Sequence, residues 1–161
     1  GLAVPGSRFT YAIGKLVLWS KSPGVVKGEE TLTSPAFAKL AICNPAAAPY
    51  GAAAIEAMKA LGIQEKMQPK LVEGATITQA FQFVETGNAE LGFIALSQLK
   101  DNDSGSRWIV PQRLYTPIKQ DAVLLKTGAS NEAATGFLAF LRGAEARAII
   151  EKYGYVLDGQ S

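Results

Sequence analysis

The feature that most constrains the fold is a repeated change of hydrophobic period between residues 39 and 96. Lys39-Leu40-Ala41-Ile42-Cys43 is a short continuous apolar run, as in a parallel strand buried on both faces. Residues 51–61 then place Ala54, Ile55, Met58 and Leu61 at helical spacing, with Gly62 as a C-terminal stop. Lys70-Leu71-Val72-Glu73 reads as the next strand. A second helix over 76–85 sets Ile77, Ala80, Phe81 and Val84 on one face and closes at Gly87-Asn88. Residues 91–96 form a third strand. Strand and helix in alternation mean right-handed crossovers and a parallel sheet covered on both faces. Ligands of such sheets sit off the carboxyl ends of the strands.

The flanks read differently. Residues 9–20 are aromatic and β-branched enough for one long strand, with Gly14 as a bulge or crossing point and Ser22-Pro23-Gly24 as its stop. Residues 34–39 form a short helical or irregular lead-in, and Trp108-Ile109-Val110-Pro111 is a fourth strand. Residues 115–126 are extended again. Two helices follow, 132–141 with Phe137, Phe140 and Leu141 on one face, and 144–153 with Ile149, Ile150 and Tyr153. The two extended segments bracket the core, so the chain enters and leaves it as a strand pair, the layout of a hinge between lobes. The expected division is 1–14, a remnant of a first lobe with the hinge entry; 15–117, the βαβ lobe; and 118–161, the return strand with closing helices that belong to the first lobe.

Two strand-to-helix turns lie at the carboxyl edge of this sheet: residues 44–51, with the small run Ala46-Ala47-Ala48-Pro49-Tyr50-Gly51, and residues 73–78. Small residues at a helix start leave the first backbone N–H groups open, and those groups carry the positive end of the helix dipole. Such a place suits an oxyanion without any basic side chain.

Composition removes the competing chemistries. The 161 residues contain no histidine and one cysteine, which removes the usual zinc ligands and any Ser–His or Cys–His nucleophilic site. Cys43 sits in an apolar run and reads as a buried, inert thiol. Sixteen Lys and Arg against fourteen Asp and Glu are scattered, which gives no support to a nucleic-acid or anionic-membrane partner. Glu73, Glu85 and Glu90 fall at separate element ends and read as solvated carboxylates, so no enzymatic role is assigned. Trp19 and Trp108 read as packing, and Phe81 and Phe83 as one buried and one partly exposed ring. No apolar run spans a bilayer, and no signal peptide is present in the sequence. The opening Gly1-Leu2-Ala3-Val4 resembles the middle of a loop, as in a processed or truncated chain.

The order of Asn44-Pro45 through Pro49-Tyr50-Gly51, Val72-Glu73-Gly74-Ala75-Thr76-Ile77, Glu90-Leu91-Gly92-Phe93-Ile94-Ala95-Leu96-Ser97, and the ending from Phe140-Leu141-Arg142-Gly143 to Lys152-Tyr153-Gly154-Tyr155 resembles the molybdate-binding proteins of bacterial ABC importers. The resemblance implies a fold and a task. The fold is α/β, a periplasmic-binding-protein type II lobe with a parallel βαβ core, two hinge strands and C-terminal helices from the other, incomplete lobe. The task is periplasmic binding of molybdate or tungstate for delivery to an ABC permease, without a cofactor or direct membrane insertion. Carried over residue by residue, the oxyanion contacts are the backbone N–H groups of Tyr50 and Ile77. Some members add a tyrosine hydroxyl near residue 95, where this sequence has Ala95, and Tyr50 replaces a small residue of those members. Other contacts of the family lie upstream of Gly1. A lone half-site is expected to bind weakly, and the apolar faces of the closing helices call for a cover, a homodimer or a partner chain. Two alternatives stay open: the same fold bound to another small anion such as sulfate or phosphate, and an effector-sensing domain of a regulator.

Overall fold

The apolar stretch over residues 9–20 is two strands and not one bulged strand. The computed structural model describes residues 1–35 and 37–159, and in it β1 (Phe9–Gly14) and β2 (Leu16–Ser20) belong to different sheets. The backbone bonds around Lys15 explain the break. Leu16 N–H donates to the buried Tyr115 hydroxyl at 3.1 Å instead of to a ladder carbonyl, while the Lys15 and Leu16 carbonyls accept from Leu96 and Val110 N–H. The two carbonyl bonds carry the pairings of β2 with β5 and β6 one step toward Lys15, whereas the Leu16 N–H finds its partner outside any ladder, and pairing stops there.

The chain divides into two compact units, Gly1–Gly14 with Lys119–Ser161, and Lys15–Ile118. The larger unit holds a five-stranded sheet in the order β4-β3-β5-β2-β6, with β3 (Leu40–Cys43), β4 (Leu71–Gly74), β5 (Leu91–Ala95) and β6 (Ser106–Ile109). β3 pairs in parallel with β4 and with β5, whereas β2 runs antiparallel to β5 and β6. The sheet is therefore mixed, a parallel core extended by an antiparallel pair. β2, β3 and β5 are buried along their whole lengths, as continuous apolar runs require.

α1 (Pro49–Ala60) crosses from β3, and α3 (Ile77–Glu85) from β4; the short α2 (Gln64–Met67) between them has no clear signal in the sequence. α1 packs on β3 and β5 through Ala53, Ala54, Ala57 and Met58, and α3 packs on β3, β4 and β5 through Ala80 and Val84. Fully burying each Leu, Ile, Val or Met of this core contributes about 1.5–3 kcal/mol. Trp19 is wholly buried and stacks on Phe81 at 5.2 Å, with its indole N–H directed to the Ser104 carbonyl. Phe81 and Phe83 are both half-buried, so the expected split between them does not occur; α3 turns the smaller Ala80 and Val84 fully inward. Before β3 a single 3₁₀ turn covers Glu29–Thr33, and the residues of the expected lead-in over 34–39 are irregular, with residue 36 outside the described residues.

Two glycines set how closely helix meets strand. A Cβ on Gly51 would stand 2.1 Å from the Cys43 carbonyl oxygen, and one on Gly92 would stand 2.6 Å from Val84 Cγ2. Only glycine admits the first contact, because the obstacle is backbone.

In the smaller unit β1 pairs with β7 (Ile118–Ala122), and bridges join Ala3 to Leu125 and Ile13 to Val156. Asp121 accepts from Thr10 Oγ1 at 2.7 Å and from Arg8 Nε at 2.6 Å. The Thr10 hydroxyl first, and the Arg8 guanidinium second, hold its carboxyl below the usual carboxylate range. α4 (Glu132–Arg142) starts on an Asn131 cap that accepts from Ala133 and Ala134 N–H, and α5 (Ala144–Lys152) follows at Gly143. Arg142 lies over the Phe9 ring at 3.7 Å. Phe137 remains 59% exposed, and Phe140, Ile149 and Tyr153 are also exposed.

Replacing Gly51 with alanine is expected to destabilise the chain by about 1–3 kcal/mol, because the strand end or the helix start must move. Urea unfolding measures it, and a midpoint equal to wild type would refute the contact. Asp121 has a lowered folded pKa, so its stabilisation is present above the unfolded value near ~3.9 and is lost as pH falls through the folded value. Urea midpoints of wild type and Asp121→Asn are therefore expected to differ most at neutral pH and to converge on acidification.

Candidate functional site

The carboxyl ends of β3, β4 and β5 share one edge of the sheet, because β3 is parallel to both neighbours. At that edge Cys43 is opposite Gly74, and Asn44 N–H continues the ladder one step further by donating to the Gly74 carbonyl at 2.8 Å. The two strand-to-helix turns are thereby tied together where each strand ends.

In the first turn the Asn44 side chain accepts from Ala46 N–H at 2.9 Å, and its carbonyl accepts from Ala47 and Ala48 N–H. An asparagine that closes its own turn in this way delivers the chain to the helix in few residues. α1 then starts at Ala48, a cap with no side-chain acceptor, and Pro49, which has no N–H. Gly51 and Ala52 N–H turn back to the Ala48 carbonyl at 3.0 and 3.2 Å. The N–H ahead of them belongs to Tyr50, at the second helical position.

The second turn is capped differently. Thr76 is extended (φ −132°, ψ 163°), its hydroxyl accepts from Gln79 N–H at 3.2 Å, and the Gln79 side chain reaches back to accept from Ala75 N–H at 2.6 Å. This is a capping-box arrangement shifted by one residue. The Thr-x-x-Gln spacing from Thr76 to Gln79 is the sequence signal of this cap. Among the described residues nothing accepts from Ile77 or Thr78 N–H. Both helix starts lack acidic residues in their first turns, so their dipoles face the edge without a local counter-charge.

A third element joins from β5. The 3₁₀ turn Leu96–Leu99 brings Gln98 between the end of β5 and the start of α3, where Oε1 accepts from Ala95 N–H at 3.0 Å and Nε2 donates to the Ile77 carbonyl at 3.3 Å. Sequence reasoning missed Gln98 because a single glutamine after a strand carries no periodic or motif signal. Ala95 itself is buried.

The chemistry of this edge is that of neutral donors. Cys43 is buried, and desolvation pushes its thiol up, so it is a thiol and not a thiolate at neutral pH. Glu90 is taken up elsewhere. Burial would raise it, yet the Lys39 N–H at 2.8 Å and other backbone donors outweigh that and leave it lowered. Glu85 faces Lys21, whose ammonium donates to the Glu85 carbonyl at 2.7 Å. Glu85 is thus ion-paired with Lys21, and Glu90 is held by backbone donors. Among the described residues no three His, Cys, Asp or Glu side chains converge as metal ligands, and no helix is long and apolar enough to cross a membrane.

Relatives place this chain in a family. The family model for bacterial extracellular solute-binding proteins matches residues 1–156. The chain is 56% identical over 158 residues to the molybdate-binding protein ModA of Rhodobacter capsulatus, covering 98% of this chain and 63% of that protein. It is 55% identical over 162 residues to ModA of Azotobacter vinelandii, covering 98% and 64%. Among solved structures, the periplasmic molybdate-binding protein of Azotobacter vinelandii superposes with a TM-score of 0.90 at 43% identity, over 98% of this chain and 71% of that one. The chain thus spans a little under two thirds of the length of these two curated relatives. With this match over nearly its whole length, the chain belongs to the bacterial extracellular solute-binding protein family.

Proposed function

We propose that this chain carries one anion-binding edge of a periplasmic molybdate-binding protein, with the backbone N–H groups of Tyr50 and Ile77 as donors to the oxyanion. The bound solute, molybdate or tungstate, is handed to an ABC permease, and the chain performs no catalysis. The observation that carries this reading is the Asn44-to-Gly74 hydrogen bond, which sets two helix starts at one sheet edge with no acidic residue in either first turn. High identity to proteins named for molybdate binding supports the choice of anion.

The physical basis is charge-assisted hydrogen bonding. An oxyanion stripped of water needs several N–H groups aimed at its oxygens, each contributing about 1.5–3 kcal/mol. Backbone donors do not distinguish molybdate from sulfate by charge, so selectivity rests on the size of the cavity.

The side chains that the smaller unit leaves exposed, Phe137, Phe140, Ile149 and Tyr153, form a face that protein covers in this reading. The isolated chain self-associates through it. Light scattering at rising concentration is expected to give a mass above the monomer, and Phe137→Glu to restore the monomer. A monomer at every concentration would refute this part.

The donor role of Ile77 is tested by Ile77→Pro. Ile77 is the first residue of α3 and follows an extended Thr76, the setting in which proline is accepted, so the change deletes one N–H and keeps the helix. The variant is expected to retain the wild-type far-UV circular dichroism and to bind molybdate about tenfold or more weakly by calorimetry. Parallel titrations with sulfate and phosphate separate the anion classes. Equal affinity of wild type and variant would overturn the assignment of Ile77.

A further inference from the structure

Gln98 is held by two hydrogen bonds that fix which end of its amide is which. Its oxygen faces the Ala95 N–H, which can only donate, and its nitrogen faces the Ile77 carbonyl, which can only accept. The side chain therefore spans from the end of β5 to the first peptide of α3. The Ile77 carbonyl and the Thr78 N–H belong to the same rigid peptide plane. A donor on that carbonyl fixes the direction in which the Thr78 N–H points and polarises it as a donor.

We propose that Gln98 is a positioning residue for the anion-binding edge: its carboxamide locks the Ile77–Thr78 peptide in place, so that the Thr78 N–H joins the Ile77 N–H as a preorganised donor to a tetrahedral oxyanion. This rests on the anion-binding reading of the same edge. Three observations support it. The Thr78 N–H donates to nothing among the described residues, so it is not consumed by the fold. Helix α3 is capped by Thr76 at its third N–H, that of Gln79, so its second N–H, that of Thr78, has no cap, and Gln98 adds a further donor to an Ile77 carbonyl that already heads the helix. Gln98 sits on the turn after β5, the strand paired in parallel with β3, so it anchors the second helix start to a strand on the far side of the first. Preorganisation of this kind matters most for binding by neutral dipoles, because donors that must reorient lose part of what each bond contributes.

Two variants separate positioning from a simple structural tie. Gln98→Glu keeps an oxygen for the Ala95 N–H and loses the donor to Ile77; Gln98→Ala loses both. In ¹⁵N-labelled, ligand-free chain, both variants are expected to shift the Ile77 and Thr78 amide signals and lower their heteronuclear NOE. Only Gln98→Ala is expected to shift Ala95, and Tyr50 is expected to stay in place in both. On titration with sodium molybdate, Gln98→Ala is expected to bind about tenfold more weakly than wild type with a melting temperature within a few degrees of it. Unmoved Ile77 and Thr78 signals in both variants overturn the proposal, as does a molybdate affinity within twofold of wild type. A wild-type chain whose Tyr50, Ile77 and Thr78 amides ignore molybdate overturns the anion reading itself and with it the ligand role of Gln98. The ligand-free spectra separate that failure from a misplaced Gln98.

Discussion

The parallel pairing of β3 with β4 on one side and β5 on the other is the constraint on which the rest of the larger unit depends. Parallel neighbours end at the same edge, so whatever follows each strand is delivered to one place. Here two helices and a 3₁₀ turn follow, and the Asn44 N–H to Gly74 carbonyl bond carries the ladder past the last strand residues. Had β3 and β4 been antiparallel, the starts of α1 and α3 would lie at opposite ends of the sheet, and neither dipole would reinforce the other.

Close approach of helix to strand is the second requirement, and it is met by absence of side chain. α1 begins directly against the Cys43 carbonyl because residue 51 is glycine, and α3 lies against β5 because residue 92 is glycine. The alanine-rich face of α1 continues the same economy, with Ala53, Ala54 and Ala57 fully inward. α1 is thus set by a backbone contact that cannot slide, and α3 by the packing of Val84 on Gly92. An edge built from N–H groups needs that rigidity, since its donors have no side-chain freedom with which to correct an error.

Much of the larger unit was legible in the sequence for a simple reason: buried parallel strands and amphipathic helices have distinct periods. The apolar run ending at Cys43, the helical spacing through Met58 and the 76–85 face all read directly, and the structure differs from them only at element ends. The division of residues 9–20 did not read, because an apolar β-branched run has the same pattern whether it serves one sheet or two. Its break is set by the Tyr115 hydroxyl, a group distant in sequence that captures the Leu16 N–H. The antiparallel direction of β2 was equally silent, since direction leaves no mark on an apolar run. Gln98 escaped for the same reason as Tyr115: its meaning lies in what it reaches.

The sequence by itself determined the alternating strands and helices between residues 39 and 96 apart from the short α2, that no histidine or thiol chemistry is present, and that two helix starts without basic side chains follow strands. Those properties are local, fixed by period, composition and turn chemistry. Tertiary structure alone decided that the two starts share an edge, that Gly51 is required by a carbonyl 2.1 Å from where its Cβ would be, and that Gln98 bridges β5 to α3. Each of these depends on hydrogen bonds and contacts between residues far apart in the chain, which exist only once strand direction and register have been chosen.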